Sequence, residues 1–180
     1  MRRSRPENEE TYRDGPIVLG EYNCVVRASR DPEALLLVHS TPLTRAEAQR
    51  LADEVARTFN AGDHVVMYSS RRKFGQFHVF YKCRIVPWFT RSDGKVRKRR
   101  EYVRDANGKH VLEARITFPP KPRAAATAEQ LAWDGLRVGL VLHEYAHLLD
   151  WRERKTTDHG PKFTAKLDML VAWWREREGM

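Results

Sequence analysis

The residues best suited to chemistry lie in the stretch His143-Glu144-Tyr145-Ala146-His147, an HExxH motif. Two histidines four residues apart lie on one face of a helix, about 6 Å apart along its axis, so both imidazoles can bind one zinc ion. Glu144 follows the first histidine, where its carboxylate can act as general base toward a metal-bound water. The motif therefore predicts a hydrolytic zinc site and leaves its third ligand open.

Four downstream residues carry side chains that could supply this third ligand: Asp150, Glu153, Asp158 and His159. Asp150 and Glu153 are on the same helix, which carries them away from the ion, and Asp150 fits better as a partner of a ligand histidine or as a surface charge. They also occupy the positions where the metzincin pattern requires Gly and His, so the sequence does not fit that class of zinc protease.

The segment 155–161 interrupts the helix, and Pro161 suits the first turn of a new one. His159 then precedes Phe163, the first residue of the apolar stripe of the new helix, by four residues and faces the core. We predict that His159 is the third ligand.

Both ligand segments need helices that hold them. A capping box, Thr127-Ala128-Glu129-Gln130, predicts a helix that begins there and runs to about Arg154. Its stretch 140–149 is apolar on almost every side, which predicts burial, and buried polar groups without partners cost about 1–3 kcal/mol each. A metal would explain why this helix carries histidines. Gly135 and Gly139 are predicted on the same helix face, where tight packing is favoured over a substrate role.

The rest of the chain predicts an α+β fold. A second capping box at Thr44-Arg45-Ala46-Glu47 predicts a helix to about Asn60. Apolar alternation predicts strands over 77–85 and 112–118, with the basic segment 96–104 between two glycine turns. These segments predict a three-stranded antiparallel meander with a solvent-facing middle strand, and 112–118 is the expected substrate-binding edge. Shorter strands are predicted over 17–27, 35–39 and 65–69.

The sequence resembles a known family in the combination of HExxH, a helix break and His159-Gly160-Pro161-Lys162-Phe163. This is similar to the HGxxF signature of SprT-like zinc metallopeptidases, which include Spartan-type proteases acting on proteins crosslinked to DNA. The resemblance covers about residues 43–176, and its specific part is confined to 143–163. It implies a zincin-like fold, one zinc ion held by His143, His147 and His159, and Glu144 as catalytic base.

Length and composition are consistent with one globular domain. The chain has 180 residues, of which 41% are hydrophobic. Residues 1–14 are expected to form a flexible tail, and 15–180 a single metallopeptidase domain with an N-terminal β extension over 15–40. The basic start is followed by acidic residues, and no stretch reaches the roughly 18 apolar residues of a membrane span, so we expect a cytoplasmic protein without membrane contact. Cys24 and Cys83 are too few for a disulfide framework.

The net charge of +9 favours polyanionic partners such as DNA. The predicted phosphate contacts lie in one run: Lys95, Arg97, Lys98, Arg99 and Arg100. The alternative for this run is a solvated charged arm that prevents aggregation of an exposed strand.

Together the motifs predict a zinc-dependent endopeptidase that acts on a protein or peptide, with DNA-associated proteins as one substrate class. The alternative is a nucleic-acid-binding protein with a structural or degenerate zinc site. Tyr102 and Tyr145 could stabilise an oxyanion by residue type alone. His39, His64, His78 and His110 have no ligand spacing and are expected on the surface or in satisfied core positions.

Overall fold

The computed structural model describes residues 37–38, 41–70, 75–120 and 135–180. Over these ranges the fold is α+β, as predicted, with five strands and three helices of 14 to 18 residues. In chain order the elements are α1 (Arg45–Thr58), β1 (His64–Tyr68), β2 (Gln76–Tyr81), β3 (Cys83–Thr90), β4 (Val96–Tyr102), β5 (Leu112–Phe118), α2 (Val138–Arg154) and α3 (Pro161–Glu178). Within the described ranges, no helix is long and apolar enough to cross a membrane.

Helix α1 begins at the predicted capping box. The Thr44 hydroxyl accepts the N–H of Glu47 at 3.3 Å, and the Glu47 carboxylate accepts the N–H of Thr44 at 2.7 Å. This reciprocal pair satisfies two N–H groups at the helix start. The apolar side of the helix is buried, and its buried residues are Ala48, Leu51, Ala52 and Val55. The prediction of this helix is confirmed.

The predicted meander is wrong in its pairing, because β5 lies in the centre of a mixed sheet of order β1-β5-β2. β5 pairs with β1 in parallel and with β2 in antiparallel orientation. The predicted strand over 77–85 is divided at Lys82, whose N–H donates to the Val111 carbonyl while its own carbonyl accepts the Val103 N–H. With both edges paired, β5 cannot accept a substrate strand, so the expectation for 112–118 is wrong.

The chain beyond Lys82 forms a separate antiparallel hairpin of β3 and β4. Its turn contains Gly94 at φ +77°, and a second turn before β5 contains Gly108 at φ +76°. Both predicted turns are therefore confirmed. All of β4 is exposed except the partly buried Glu101, as expected for a solvent-facing middle strand.

Helix α2 begins later than predicted. Gly135 has φ +93° and Arg137 is extended, with an isolated bridge to Pro42, so the helix starts at Val138. Gly135 therefore lies outside the helix, whereas Gly139 lies within its first turn. The capping box at 127–130 falls outside the described residues. From Val138 to Leu148 every residue is buried, because the sheet, α1 and α3 all contact this helix.

The N-terminal predictions are tested only at Leu37 and Val38, which are helical. The Leu37 carbonyl accepts the Thr41 hydroxyl at 2.9 Å, a helix-like spacing of four residues. The strand predicted over 35–39 is therefore not found at these two positions. The predicted tail over 1–14 and strand over 17–27 lie outside the described residues.

Candidate metal centre

Three histidines converge at the junction of α2 and α3. The Nε2 atom of His143 lies 3.2 Å from Nε2 of His147 and 3.2 Å from Nε2 of His159. One ligand atom from each residue lies within 4.8 Å of the others. His143 and His147 are buried, and His159 is partly buried. The structure thus brings together the three predicted ligands in a group that could hold a metal ion.

The spacing of these nitrogens fits a tetrahedral ion. With Zn–N bonds of about 2.0–2.1 Å, two ligand nitrogens of a tetrahedral site are about 3.3 Å apart. Both measured pairs agree with this value. Three nitrogen donors would also leave one of four positions open, which is the arrangement of a catalytic rather than a closed structural zinc site.

Phe163 lies against all three imidazoles. Its ring centroid is 4.9 Å from that of His143, 4.3 Å from that of His147 and 5.0 Å from that of His159. Phe163 is fully buried at the first apolar position of α3. The start of α3 is set by Pro161 at its first turn, after Gly160. This helix start therefore fixes both His159 and the aromatic ring behind the cluster.

His147 has a hydrogen-bond partner that the sequence did not indicate. Its Nδ1 lies 2.9 Å from the Thr157 hydroxyl, and both side chains are buried. A partner on the second nitrogen orients a ligand imidazole and selects the tautomer that leaves Nε2 for the metal. Thr157 has this position because the loop after α2 must return to the cluster to present His159.

The acidic residues considered as ligands are used elsewhere. Asp150 is buried, and its Oδ1 accepts the Arg154 guanidinium Nε–H at 2.6 Å, with a second contact from the same side chain. The predicted partnership of Asp150 with a ligand histidine is therefore replaced by an ion pair on the same helix. Glu153 pairs with Lys166 at 2.6 Å, which joins α2 to α3 at the surface.

Asp158 holds the loop in front of His159. Its Oδ1 accepts the Gly160 N–H at 2.8 Å and lies 3.4 Å from the Arg154 guanidinium. The Gly160 hydrogen bond, and then the charge of Arg154, hold the pKa of the Asp158 carboxyl below its ordinary value. Asp150, Arg154 and Asp158 thus form one chain of contacts from the buried helix to the ligand loop.

Glu144 is buried beside Gly75, the residue that precedes β2. A Cβ atom on Gly75 would lie 2.3 Å from Glu144 Oε1 and 2.8 Å from Leu140 Cδ1, distances that real side chains do not tolerate. A side chain at position 75 would therefore displace the ends of Glu144 and Leu140 where the sheet edge approaches the carboxylate. The sequence did not single out Gly75, since the contact joins segments about 70 residues apart.

The two tyrosines considered as oxyanion donors have other positions. The Tyr145 hydroxyl donates to His64 Nε2 at 2.8 Å, and His64 Nδ1–H donates to the Gly62 carbonyl at 2.8 Å. Burial raises the pKa of Tyr145 well above its ordinary value. Tyr102 is the last residue of β4 in the hairpin, where its ring contacts Tyr81 and His110. Neither tyrosine has a contact that brings it to the three histidines.

The other histidines that the structure describes are outside the cluster. His64 has the partners just described, and the buried His78 has a 2.9 Å contact with Gln76. His110 contacts Tyr81 at a centroid distance of 5.0 Å. His64 has the satisfied position predicted for it, whereas Nδ1 of the half-buried His110 is enclosed without a hydrogen-bond partner among the described residues. His39 lies outside the described residues.

The predicted phosphate-contacting residues are exposed on the β3–β4 hairpin: Lys95, Arg97, Lys98, Arg99 and Arg100. Arg99 pairs with Glu101 at 3.2 Å. Trp88 and Phe89, on the paired strand, are also exposed, at 62% and 46%. The hairpin therefore presents cations and aromatic rings together, and none of these residues belongs to the histidine cluster.

Comparison with protein-family models, curated proteins and solved structures finds no match to this chain. The resemblance to SprT-like metallopeptidases therefore still depends on residues 143–163.

Proposed function

We propose that this chain is a zinc-dependent endopeptidase. The observation that carries the proposal is the convergence of His143, His147 and His159, together with the buried Glu144 directly after His143 in α2. A purely structural zinc site is closed by four protein ligands and has no use for a buried carboxylate next to a ligand. Three ligands with an acidic neighbour are what metal-assisted hydrolysis requires.

In this proposal His143, His147 and His159 hold the zinc ion through their Nε2 atoms. When bound, zinc acts as a Lewis acid and lowers the pKa of water from 15.7 to about 7. Glu144 accepts the proton that the attacking water loses and returns it to the amide nitrogen of the leaving group. Thr157 keeps Nε2 of His147 directed at the ion, and Gly75 leaves room for the carboxylate of Glu144.

A polypeptide is the substrate that the surroundings favour. β2 is an outer strand of the described sheet, and Gly75, directly before it, lies against Glu144. An extended polypeptide can pair with such an edge through main-chain hydrogen bonds, which places a peptide bond next to the base. This outer strand replaces β5 as the proposed substrate edge.

The decisive experiment compares zinc content and cleavage of an unfolded protein for the wild-type chain and Glu144→Gln. We expect Glu144→Gln to retain one zinc ion per chain and to lose at least about 100-fold in cleavage rate. Equal cleavage by both proteins would refute the role of Glu144. His159→Ala should weaken zinc binding by at least about tenfold, and unchanged affinity would show that another residue closes the site.

The exposed basic hairpin supports an association with DNA, which makes DNA-associated proteins one proposed substrate class. It also supports the alternative function, a nucleic-acid-binding protein whose zinc site is structural. Replacing Lys98 and Arg100 by Gln should weaken DNA binding and reduce its salt dependence. The alternative is correct if the wild-type chain binds DNA, if these two changes weaken that binding, and if the wild-type chain cleaves no protein.

A further inference from the structure

A second concave site lies beyond the C-terminal end of the metal-binding helix. It is a pocket of about 830 Å³ between the end of β2, the turn before β5 and the end of α2. Its lining combines three cationic and four aromatic side chains: Arg104, Lys109, Lys155, Phe80, Tyr81, His110 and Trp151. None of the described residues that line it carries a carboxylate.

The three cations are not neutralised within the described part of the chain. Arg104 donates to the Gly108 carbonyl at 2.6 Å, and Lys155 donates to the Arg152 carbonyl at 3.1 Å. The Lys155 ammonium also lies 5.1 Å from the centre of the Trp151 ring. These contacts hold the side chains without cancelling their charge, so the pocket is suited to an anion.

The aromatic residues form walls of the pocket, and its three cationic side chains are exposed. Tyr81 and His110 are in ring contact at 5.0 Å, and Trp151 is only 4% exposed. A carboxylate between these walls would face cations from both the turn and the helix end.

The pocket and the metal centre lie along the same two elements, β2 and α2, with the buried rings of Phe77 and Trp151 between them. Trp151 follows His147 by one helical turn, and Phe77 of β2 contacts both rings, at 6.3 Å from His147 and 6.2 Å from Trp151. Tyr81 lies four residues beyond Phe77 on the same strand face, or about 13 Å at a rise of about 3.3 Å per residue. A peptide extended along β2 from the metal therefore reaches the pocket after about four residues.

We propose that this pocket is a specificity subsite that binds an acidic side chain of the substrate, about four residues from the scissile bond. The inference rests on the proposed endopeptidase function and adds a substrate preference to it. Charge complementarity identifies the occupant, since three cations face the space into which a strand paired with β2 would extend.

The test uses the zinc-loaded full chain and a neutral parent peptide whose cleaved bond is located by mass spectrometry. Glu, Gln or Lys is then placed singly at each position up to six residues on either side of that bond. We expect one position about four residues away where Glu raises kcat/KM roughly tenfold over Gln, while Lys lowers it. No dependence on charge at any position would overturn the proposal.

Variants assign the preference to the pocket. Lys109→Gln and Lys155→Gln should abolish the preference, so that the Glu and Gln peptides are cleaved with equal kcat/KM, and Lys109→Glu should favour Lys. Lys98→Gln on the hairpin is the matched control, because it removes the same charge from another exposed side chain. An equal loss of preference in Lys98→Gln would show an effect of net charge alone and would overturn the proposal.

Binding measurements separate this inference from the proposed activity. Fluorescence anisotropy on zinc-loaded Glu144→Gln compares a labelled Glu peptide with its Gln counterpart. Tighter binding of the Glu peptide that depends on Lys109 supports the pocket even if the wild-type chain cleaves nothing. Equal binding of both peptides refutes it even if cleavage is intact. If Lys109→Gln instead weakens binding of an oligothymidylate and leaves peptide selectivity unchanged, the pocket binds nucleic acid and the proposal is wrong.

Discussion

The Thr157 hydroxyl lies 2.9 Å from Nδ1 of His147, with both side chains buried. Thr157 is on the loop that leaves α2, two residues before His159. One short loop therefore supplies the third histidine and the partner that orients the second. Changes in this loop should alter metal binding even where no ligand is replaced.

Thr157→Val should weaken zinc binding about 10- to 100-fold, because valine keeps the shape of the side chain and removes the partner of His147. Competition with a chromophoric chelator gives the affinity. Thr90→Val, at an exposed position of β3, is the control and should bind zinc as the wild-type chain does. Wild-type affinity in Thr157→Val would show that the contact does not orient the ligand.

Gly75→Ala should reduce cleavage at least about 100-fold with zinc content preserved, because a displacement of about 1 Å of a catalytic group has an effect of this size. The added methyl group would meet Glu144 Oε1, which is the far end of a side chain and can move. Thermal unfolding serves as the control measurement and should change little. Wild-type kcat/KM would contradict the close approach of Gly75 to the carboxylate.

Local patterns in the sequence predicted the local structure well. The capping box at Thr44 and the two glycine turns are set by residues close together in the chain, and all are found. His159 was predicted for the same reason, since the helix break and Pro161 are both within its own segment. The α+β class followed from the same periodicities.

Long-range relationships were not predictable from such patterns. β5 pairs with β1 and β2 because the chain leaves this sheet at Lys82 and continues into the separate hairpin. The apolar alternation runs through 77–85 without a break, so it could not predict this division. The start of α2 was placed too early because the left-handed Gly135 is indistinguishable in sequence from a helical glycine. The contact of Gly75 with Glu144 joins distant segments, so no spacing rule could indicate it.

Arg154→Ala should lower the free energy of unfolding by about 2–4 kcal/mol, because it leaves the buried Asp150 carboxylate without its cation. The same change removes the 3.4 Å contact of Arg154 with Asp158 in the loop before His159, so zinc affinity should also fall. Urea unfolding with and without zinc measures both effects. Arg177→Ala is the matched control, because its pair with Glu54 is about one-third exposed on each side and contributes at most about 1 kcal/mol. Equal losses in the two variants would refute the importance of the Asp150 pair.

Tyr145 should make the fold sensitive to alkaline conditions. Its pKa is raised by burial, so the folded state keeps the phenol proton at a pH where the unfolded chain, with a pKa of about 10, has lost it. The unfolded state then binds fewer protons than the folded state, and the free energy of unfolding must fall as the pH rises above about 10.

Tyr145→Phe removes this titration and should flatten the fall in the free energy of unfolding above about pH 10. At pH 7 it should cost about 1 kcal/mol, since His64 loses a hydrogen-bond partner. Urea unfolding between pH 8 and pH 11 measures both quantities, with Tyr102→Phe, an exposed tyrosine, as the control. Identical slopes in the wild-type chain and Tyr145→Phe would show that Tyr145 ionises in the folded state as readily as in the unfolded chain.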